Sequence, residues 1–281
     1  MDKKKIIAFQ GRPGAYSDLA CRAVYKDWET LPCTTFEDAF AAVQSGAAQL
    51  AMMPIENSTV GRVADIHHLL PGGDLHIIGE HYQPIEHQLL GVKGAKLSDI
   101  KEVHSHVQAL QQCRNFLRKN GLKAVIRSDT AGSAAELQGT QDKSVAAIAS
   151  KLAGEIYGLD ILAPNIADQE GNTTRFLIMT KEAKMPKAGS GPLITSFIFR
   201  VRSVPAALYK ALGGFASNGV NITKIESYMV DNKFTAAQFY ADVEGHPEDQ
   251  ALRHAFEELS FFASEVKILG TYPAHPFRNK P

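Results

Sequence analysis

KEAKMPKAGSGP, residues 181–192, is the stretch that divides this chain. It combines Lys, Gly, Ser and Pro without a periodic apolar pattern, the composition of an exposed connection between domains. On its amino-terminal side, short apolar strands alternate with amphipathic helices. Strands are expected at Lys5–Phe9, Leu50–Ile55, from His87 to Val92, and at Val145–Ala149, Ile161–Ala163 and Leu177–Met179. Ser17 is read as the cap of a helix with Leu19, Ala20, Ala23 and Val24 on its apolar face. Thr35-Phe36-Glu37-Asp38 has capping-box form, with Phe36, Phe40 and Val43 at helical spacing behind it. Ala109, Cys113, Phe116 and Leu117 mark one face of a helix that Asn120-Gly121 closes. Such alternation predicts largely parallel sheets, with ligands held at the carboxyl ends of strands.

On the carboxyl side the elements tighten. Leu193–Val201 reads as a strand, and Leu208, Ala211, Leu212 and Phe215 as a helix face ending at Asn218-Gly219. Two strands follow, Val220–Val230 and Phe234–Val243, joined by a turn at Asp231-Asn232. Pro247 opens a helix with Glu248 and Asp249 in its first turn and Leu252, Ala255, Phe256 and Leu259 on its apolar face. Val266–Leu269 is the last strand. The order βαββαβ is a ferredoxin-like unit.

Composition narrows the function. Lys and Arg number 30, as do Asp and Glu, so no general positive field points to nucleic acid or an acidic membrane. No stretch approaches the ~18 apolar residues of a spanning helix. Ile6–Phe9 is too short for the core of a signal peptide, and a cytoplasmic protein is the expectation. The three cysteines are odd in number and scattered, which implies no disulfide framework. His67-His68 and His104-x-His106 lack the spacing of a zinc site and read as surface or capping residues. Gly11-Arg12-Pro13-Gly14 is neither a dinucleotide fingerprint nor a P-loop, so no cofactor is expected.

Four polar clusters lie at strand ends or in loops: Gln10–Ser17, Pro54–Gly61, Ser128–Ser133 and Asn172–Phe176. Singly, each reads equally as a turn or a helix cap. Together they could gather backbone N–H groups and hydroxyls around an anion. Asn172-Thr173-Thr174-Arg175-Phe176 stands just ahead of an apolar run, so its hydroxyls and its charged fork would sit at a strand entrance. A solvent-facing salt bridge is the alternative reading of Arg175.

In order along the chain, these clusters resemble the prephenate dehydratase family. Pro54-Ile55-Glu56-Asn57-Ser58, with Gly61 and Val63, is similar to its PIENS segment. Ser105-His106-Val107-Gln108-Ala109-Leu110-Gln111-Gln112-Cys113 is similar to its SHPQALxQC segment, with Val107 in place of proline. Asp129-Thr130-Ala131, Ala147–Ser150, Tyr157-Gly158-Leu159 and Asn172–Phe176 continue the match, and Asn221–Ser227 resembles the signature of an amino-acid-sensing ACT domain. The resemblance implies a two-lobed catalytic domain like type II periplasmic binding proteins at 5–181, and a ferredoxin-like ACT regulatory domain at 194–271.

The implied reaction converts prephenate to phenylpyruvate with loss of carbon dioxide and water. Arogenate is the rival substrate, and a non-catalytic amino-acid sensor or solute binder is the alternative of another class. Aromatisation drives the chemistry, so neither metal nor organic cofactor is expected. The resemblance makes Thr174 the essential residue, its hydroxyl donating to the departing oxygen. Arg175 is either a partner for a substrate carboxylate or a brace. Gln10, Ser17, Asn57, Ser58, Thr59 and Phe176 complete the expected substrate wall, with Glu56 orienting its donors. Thr130 and Ser133, beside a helix start, are expected to hold a carboxylate from the second lobe. L-Phenylalanine is the implied effector of a homodimer or homotetramer, at Ala206, Ala207, Leu208, Asn221, Ile222, Glu226 and Ser227. Ala206 stands there where the family usually has Gly, and Tyr228-Met229 where it has Arg-Pro.

Overall fold

The computed structural model describes residues 4–202, 204–229 and 236–279. They form two compact units, one running through Val63 and from His81 to Phe176, the other comprising Ala64–Glu80 and the chain from Leu177 onward.

The first series of elements is β1 (Ile6–Gln10), α1 (Tyr16–Val24), β2 (Glu29–Cys33), α2 (Phe36–Gln44), β3 (Leu50–Asn57), β4 (Gly61–Arg62), α3 (Ala64–Leu69) and β5 (His76–Pro84). The second is β6 (Gln88–Gly91), β7 (Glu102–Ser105), α4 (Val107–Gln112), α5 (Arg114–Lys119), β8 (Lys123–Ile126), α6 (Thr130–Thr140), β9 (Val145–Ala149), α7 (Lys151–Tyr157) and β10 (Asp160–Ala163). β11 (Thr173–Thr180) then returns to the first sheet.

The first sheet is ordered β2-β1-β3-β11-β5 and the second β8-β7-β9-β6-β10. β1 lies between β2 and β3 in the first and β7 between β8 and β9 in the second, while β11 and β6, each arriving from the other series, are inserted beside β3 and β9. This is the two-lobed, periplasmic-binding-protein-like arrangement expected. The expectation of largely parallel sheets needs correction, because both are mixed. β1 runs parallel to β2 and β3, and β7 to β8 and β9, but β6 is antiparallel to both β9 and β10. β6 enters its sheet straight from β5, so no helical crossover sets its direction.

Local chemistry explains the elements and three departures from expectation. Thr35 and Asp38 form the expected reciprocal cap of α2, whose Phe40 and Val43 are buried. Ser17, however, is not a cap. It lies inside α1, buried, and Ala15 is the capping residue. The helix expected across Ala109–Leu117 is broken at Cys113, whose φ of −112° and ψ of 17° leave the helical region. In an unbroken helix the Gln112 carbonyl would accept from the residue four places on. Here it accepts from the backbone N–H of Asp168 at 2.6 Å, and the Asp168 carboxylate accepts from the Asn115 N–H at 3.0 Å. A distant loop thus satisfies both broken ends. Thr173–Phe176, expected at a strand entrance, are the first residues of β11 itself and are buried.

In the second unit, β12 (Leu193–Val201), α8 (Ala207–Ser217), β13 (Ile222–Met229), β14 (Ala236–Glu244), α9 (Gln250–Phe262) and β15 (Ala263–Pro273) build a sheet ordered β13-β14-β12-β15. Every pairing is antiparallel, as a ferredoxin-like unit requires. Phe197, Phe199, Phe215 and Phe239 fill its core against Leu252, Ala255 and Leu259. α9 begins at Gln250, not at Pro247: the Asp249 carboxylate accepts from the His246 N–H and closes a turn over 246–249 first. The turn at Asp231-Asn232 lies outside the described residues. His67 corrects another expectation. It is buried, 1% exposed, with Nδ1 2.5 Å from the Tyr228 hydroxyl and its ring edge-on to Tyr240. His68 is exposed and His106 caps α4, as expected.

Candidate active site

The carboxyl end of β3 and the beginning of β11 carry the densest group of expected residues. The Ser58 N–H donates to the Thr173 carbonyl at 2.9 Å, and Glu56 meets Arg175. The two chains therefore run in opposite directions, with Asn57 opposite Thr174. Because side chains alternate across a strand, Asn57, Asn172, Thr174 and Phe176 share one face, and Glu56 and Arg175 the other.

Asn57 organises its face. Its Oδ1 accepts from the backbone N–H groups of Thr59 at 2.9 Å and Val60 at 3.0 Å. Those donors cannot reverse, so the amide nitrogen must point the other way. It donates to Asn172 Oδ1 at 2.7 Å and to Thr174 Oγ1 at 2.9 Å. Thr174, 9% exposed, is thus an acceptor from Asn57, and its own hydroxyl hydrogen has no acceptor among the described residues. Ser58 Oγ accepts from the Thr173 N–H at 3.0 Å and donates to the Gly171 carbonyl, which fixes the chain leading into β11.

The network continues into the second lobe. Asn172 Nδ2 donates to Gln112 Oε1 at 3.0 Å, and that oxygen is 2.7 Å from His87 Nε2. His87 Nδ1 is 2.8 Å from the Tyr16 hydroxyl, which also lies 2.9 Å from the Glu86 carbonyl. Burial lowers the affinity of His87 for a proton, although the bond to Gln112 works the other way. Burial chiefly, and Cys113 and Glu86 after it, hold the Tyr16 hydroxyl well above its ordinary range. Both are neutral near pH 7. A cavity of about 510 Å³ adjoins this network, with Thr59, Val60, Gln108, Gln111, Gln112, Asp168, Gln169 and Asn172 in its wall. Thr174 stands two hydrogen bonds behind that wall, through Asn57 to Asn172.

The other expected residues lie elsewhere. Arg175 is 2% exposed, and its guanidinium is 2.9 Å from Glu56, on the face away from Thr174. Phe176 is buried. Gln10 reaches the Thr34 carbonyl at 3.4 Å. Ser17 is near Asp18, whose carboxylate accepts from the Gly14 N–H at 2.9 Å. At the start of α6, Asp129 already accepts from the Gly132 N–H, and Ser133 Oγ donates to the Asp129 carbonyl at 2.8 Å. That helix start therefore has an internal carboxylate, beside a half-buried Thr130. Gly14, with φ of +87°, packs so tightly on Ala153 that a Cβ would stand 2.7 Å from its Cα. The turn brings the Gly14 carbonyl to Ser150 Oγ, tying the first lobe to the second.

Sequence reasoning passed over Tyr16, His87 and Gln112. The one available signal for Gln112 was its place in the quoted Ser105–Cys113 segment. In the second unit, Ala206 caps α8 with φ of +58°, a left-handed conformation. Ile222, Glu226 and Ser227 lie on β13, an edge strand, where Lys224 contacts Glu226 at 3.0 Å, and Asn221 immediately precedes it. No group of three or more metal-binding side chains occurs among the described residues.

Comparison with known proteins identifies a family and several relatives. A family model described as prephenate dehydratase matches residues 7–184. A bifunctional N-acyl-homoserine lactone acylase/prephenate dehydratase of Komagataeibacter europaeus is 52% identical, over the whole of both chains. Arogenate dehydratase/prephenate dehydratase 1 of Arabidopsis thaliana, a chloroplastic protein, is 42% identical over 97% of this chain and 73% of its own. A crystal structure of prephenate dehydratase from Arthrobacter aurescens in complex with L-Phe is similar with a TM-score of 0.88. It is 31% identical over 96% of this chain and 90% of that one.

Proposed function

Because the chain belongs to the prephenate dehydratase family, we propose that it converts prephenate to phenylpyruvate, carbon dioxide and water. The observation that carries this reading is the Thr174 hydroxyl, which accepts from Asn57 and has its hydrogen left for a bound acceptor. As the ring carboxylate departs as carbon dioxide, its bonding electrons enter the ring and the carbon–oxygen bond to the ring hydroxyl breaks. Negative charge grows on the leaving oxygen. A donor already aimed at that oxygen stabilises the transition state more than the ground state. An alkyl hydroxyl is too weak an acid to surrender its proton outright, so the proton that completes the water comes through solvent. Arg175 acts as a brace in this reading, given its burial against Glu56 on the opposite face. Aromatisation supplies the driving force, and turnover should survive chelation and dialysis.

Arogenate differs from prephenate only in its side chain, and the same elimination would serve it. Assay of the purified protein on both substrates, following phenylpyruvate and phenylalanine, decides the preference. Turnover of neither would favour a sensing role. The second domain, taken as 194–271 against 5–181 for the catalytic part, would bind L-phenylalanine as inhibitor through Asn221, Ile222, Glu226 and Ser227. The L-Phe complex of the 31% identical relative supports this. Calorimetry on the full chain and on Asn221→Ala tests it, and light scattering with and without L-phenylalanine tests for a homodimer or homotetramer. The bifunctional 52% identical relative of Komagataeibacter europaeus supports a second reading, hydrolysis of N-acyl-homoserine lactones, which release of the free fatty acid would reveal.

A further inference from the structure

α3 (Ala64–Leu69) follows the β3–β4 hairpin directly, yet it belongs to the second unit, which begins at Ala64. Its anchor there is His67. The imidazole is buried, with Nδ1 2.5 Å from the Tyr228 hydroxyl and its ring edge-on to Tyr240. Both tyrosines adjoin Glu226. Tyr228 is the next residue on the same face of β13, because side chains alternate along a strand, and Tyr240 lies directly opposite Glu226 on β14. Lys224 holds the Glu226 carboxylate at 3.0 Å. The ammonium group of an amino acid would compete with that lysine, and a shift of Glu226 would be felt by the two rings that touch His67.

Toward its amino terminus, α3 is tied to the candidate active site by a chain with little slack. Asn57 pairs with Gly61 and Glu56 with Arg62, and the Val63 N–H donates to the Ile55 carbonyl at 3.0 Å. A displacement of Ala64 therefore reaches Thr59 and Val60, whose N–H groups hold Asn57 Oδ1. Asn57 in turn donates to Thr174. We propose that the Tyr228–His67 hydrogen bond couples the amino-acid site on β13 to the β3–β4 hairpin. Effector binding moves α3 through His67, draws the Thr59 and Val60 N–H groups from Asn57, and frees Asn57 to turn away from Thr174. The inference rests on the reading that L-phenylalanine binds at Asn221, Ile222, Glu226 and Ser227 and inhibits. Tyr228 stands where the family usually has Arg, so the contact is a feature of this chain. Packed rings shift between discrete arrangements and do not deform smoothly, which lets a small change at Glu226 reach the hairpin.

The test uses the full-length protein and L-phenylalanine. Tyr228→Phe removes the hydroxyl alone and keeps the buried ring, so kcat and KM without effector should match wild type. Calorimetry should still show L-phenylalanine binding, while inhibition at saturating effector should weaken about fivefold or more, the lower end of ordinary coupling between sites. His67→Asn, whose amide can stand where Nδ1 stood, should keep the inhibition that His67→Leu loses. In amide hydrogen exchange, saturating L-phenylalanine should quicken exchange at Thr59 and Val60 in wild type and leave it unaltered in Tyr228→Phe. Several results would each overturn the proposal: wild-type inhibition of Tyr228→Phe, loss of L-phenylalanine binding in that variant, a fall in its uninhibited kcat, or exchange at Thr59 and Val60 that ignores the effector in wild type. A wild-type protein that binds no L-phenylalanine would overturn the effector reading and this inference with it. One that binds it but lacks dehydratase turnover would overturn the catalytic reading alone, and the exchange experiment would still decide the coupling.

Discussion

The Glu56 carboxylate lies 2.9 Å from the Arg175 guanidinium, on the face of the β3–β11 pair that Thr174 does not occupy. Adjacent residues of one strand thus have separate tasks. Thr174 and Asn57 turn toward the polar network, while Arg175 and Glu56 hold the two strands together behind it.

Removing the Thr174 hydroxyl tests the first task. Thr174→Ala should lower kcat by ~10²–10³, the usual effect of losing one preorganised donor, with a small change in KM. Thr174→Ser, which keeps a hydroxyl, should retain much more activity. Steady-state kinetics on folded variants would contradict the assignment if alanine were within a few-fold of wild type.

The brace should be felt mainly in stability. Glu56→Gln keeps an acceptor but removes the charge facing a buried guanidinium, and should cost about 1–3 kcal/mol. Urea unfolding should register this, while kcat falls much less than in Thr174→Ala. A large kinetic defect with an unchanged unfolding midpoint would place Glu56 in the chemistry instead.

Asp168 joins the broken ends of α4 and α5. Asp168→Ala should lose the carboxylate cap on the Asn115 N–H, worth about 1 kcal/mol, as for other helix caps. The backbone bond from residue 168 to the Gln112 carbonyl survives, so kcat should stay within a few-fold of wild type. The unfolding midpoint and kcat measured together distinguish this from a direct catalytic role.

His87 also predicts a pH dependence of stability. Its proton affinity is lowered from the ordinary 6.5, so the unfolded chain binds more protons than the native one just below that pH. The contribution is fully present above 6.5 and is lost as pH falls toward the depressed native value. Unfolding free energies of wild type and His87→Gln, compared from pH 8 downward, should therefore converge or cross as the wild type weakens. A difference independent of pH would contradict a neutral, buried imidazole.

Ala206 carries left-handed strain, with φ of +58°. Glycine tolerates that conformation freely, so Ala206→Gly should stabilise the protein by about 0.5–1 kcal/mol after its extra chain entropy is counted. Calorimetry with L-phenylalanine on the same variant should show tighter binding if the Ala206 methyl group hinders the effector.

Much of the architecture is legible in the sequence because hydrophobic periodicity is a local property. The Thr35–Asp38 cap, the strand at Leu50, the ferredoxin-like order after residue 192 and the Asn57–Thr59 and Thr174 clusters can all be read from neighbouring residues. The errors occur where a partner distant in sequence overrides the local signal. Nothing near Cys113 announces a helix break, since Asp168 supplies the bonds that permit it. His67 looks like a surface residue until Tyr228 and Tyr240 bury it.

What the sequence by itself determined is the set of polar groups available and the strands that carry them. Which groups meet was decided only by the tertiary structure. Thr174 and Arg175 are neighbours in the chain, yet the alternation of a strand sends them to opposite faces, and only the pairing with β3 gives each its partner. Tyr16, His87 and Gln112 carry no shared local pattern. They become one network because three separate connections, before α1's second residue, before β6 and at the end of α4, converge in the fold. A hydrogen bond needs its partners within about 3 Å, and only the folded chain brings such distant residues that close.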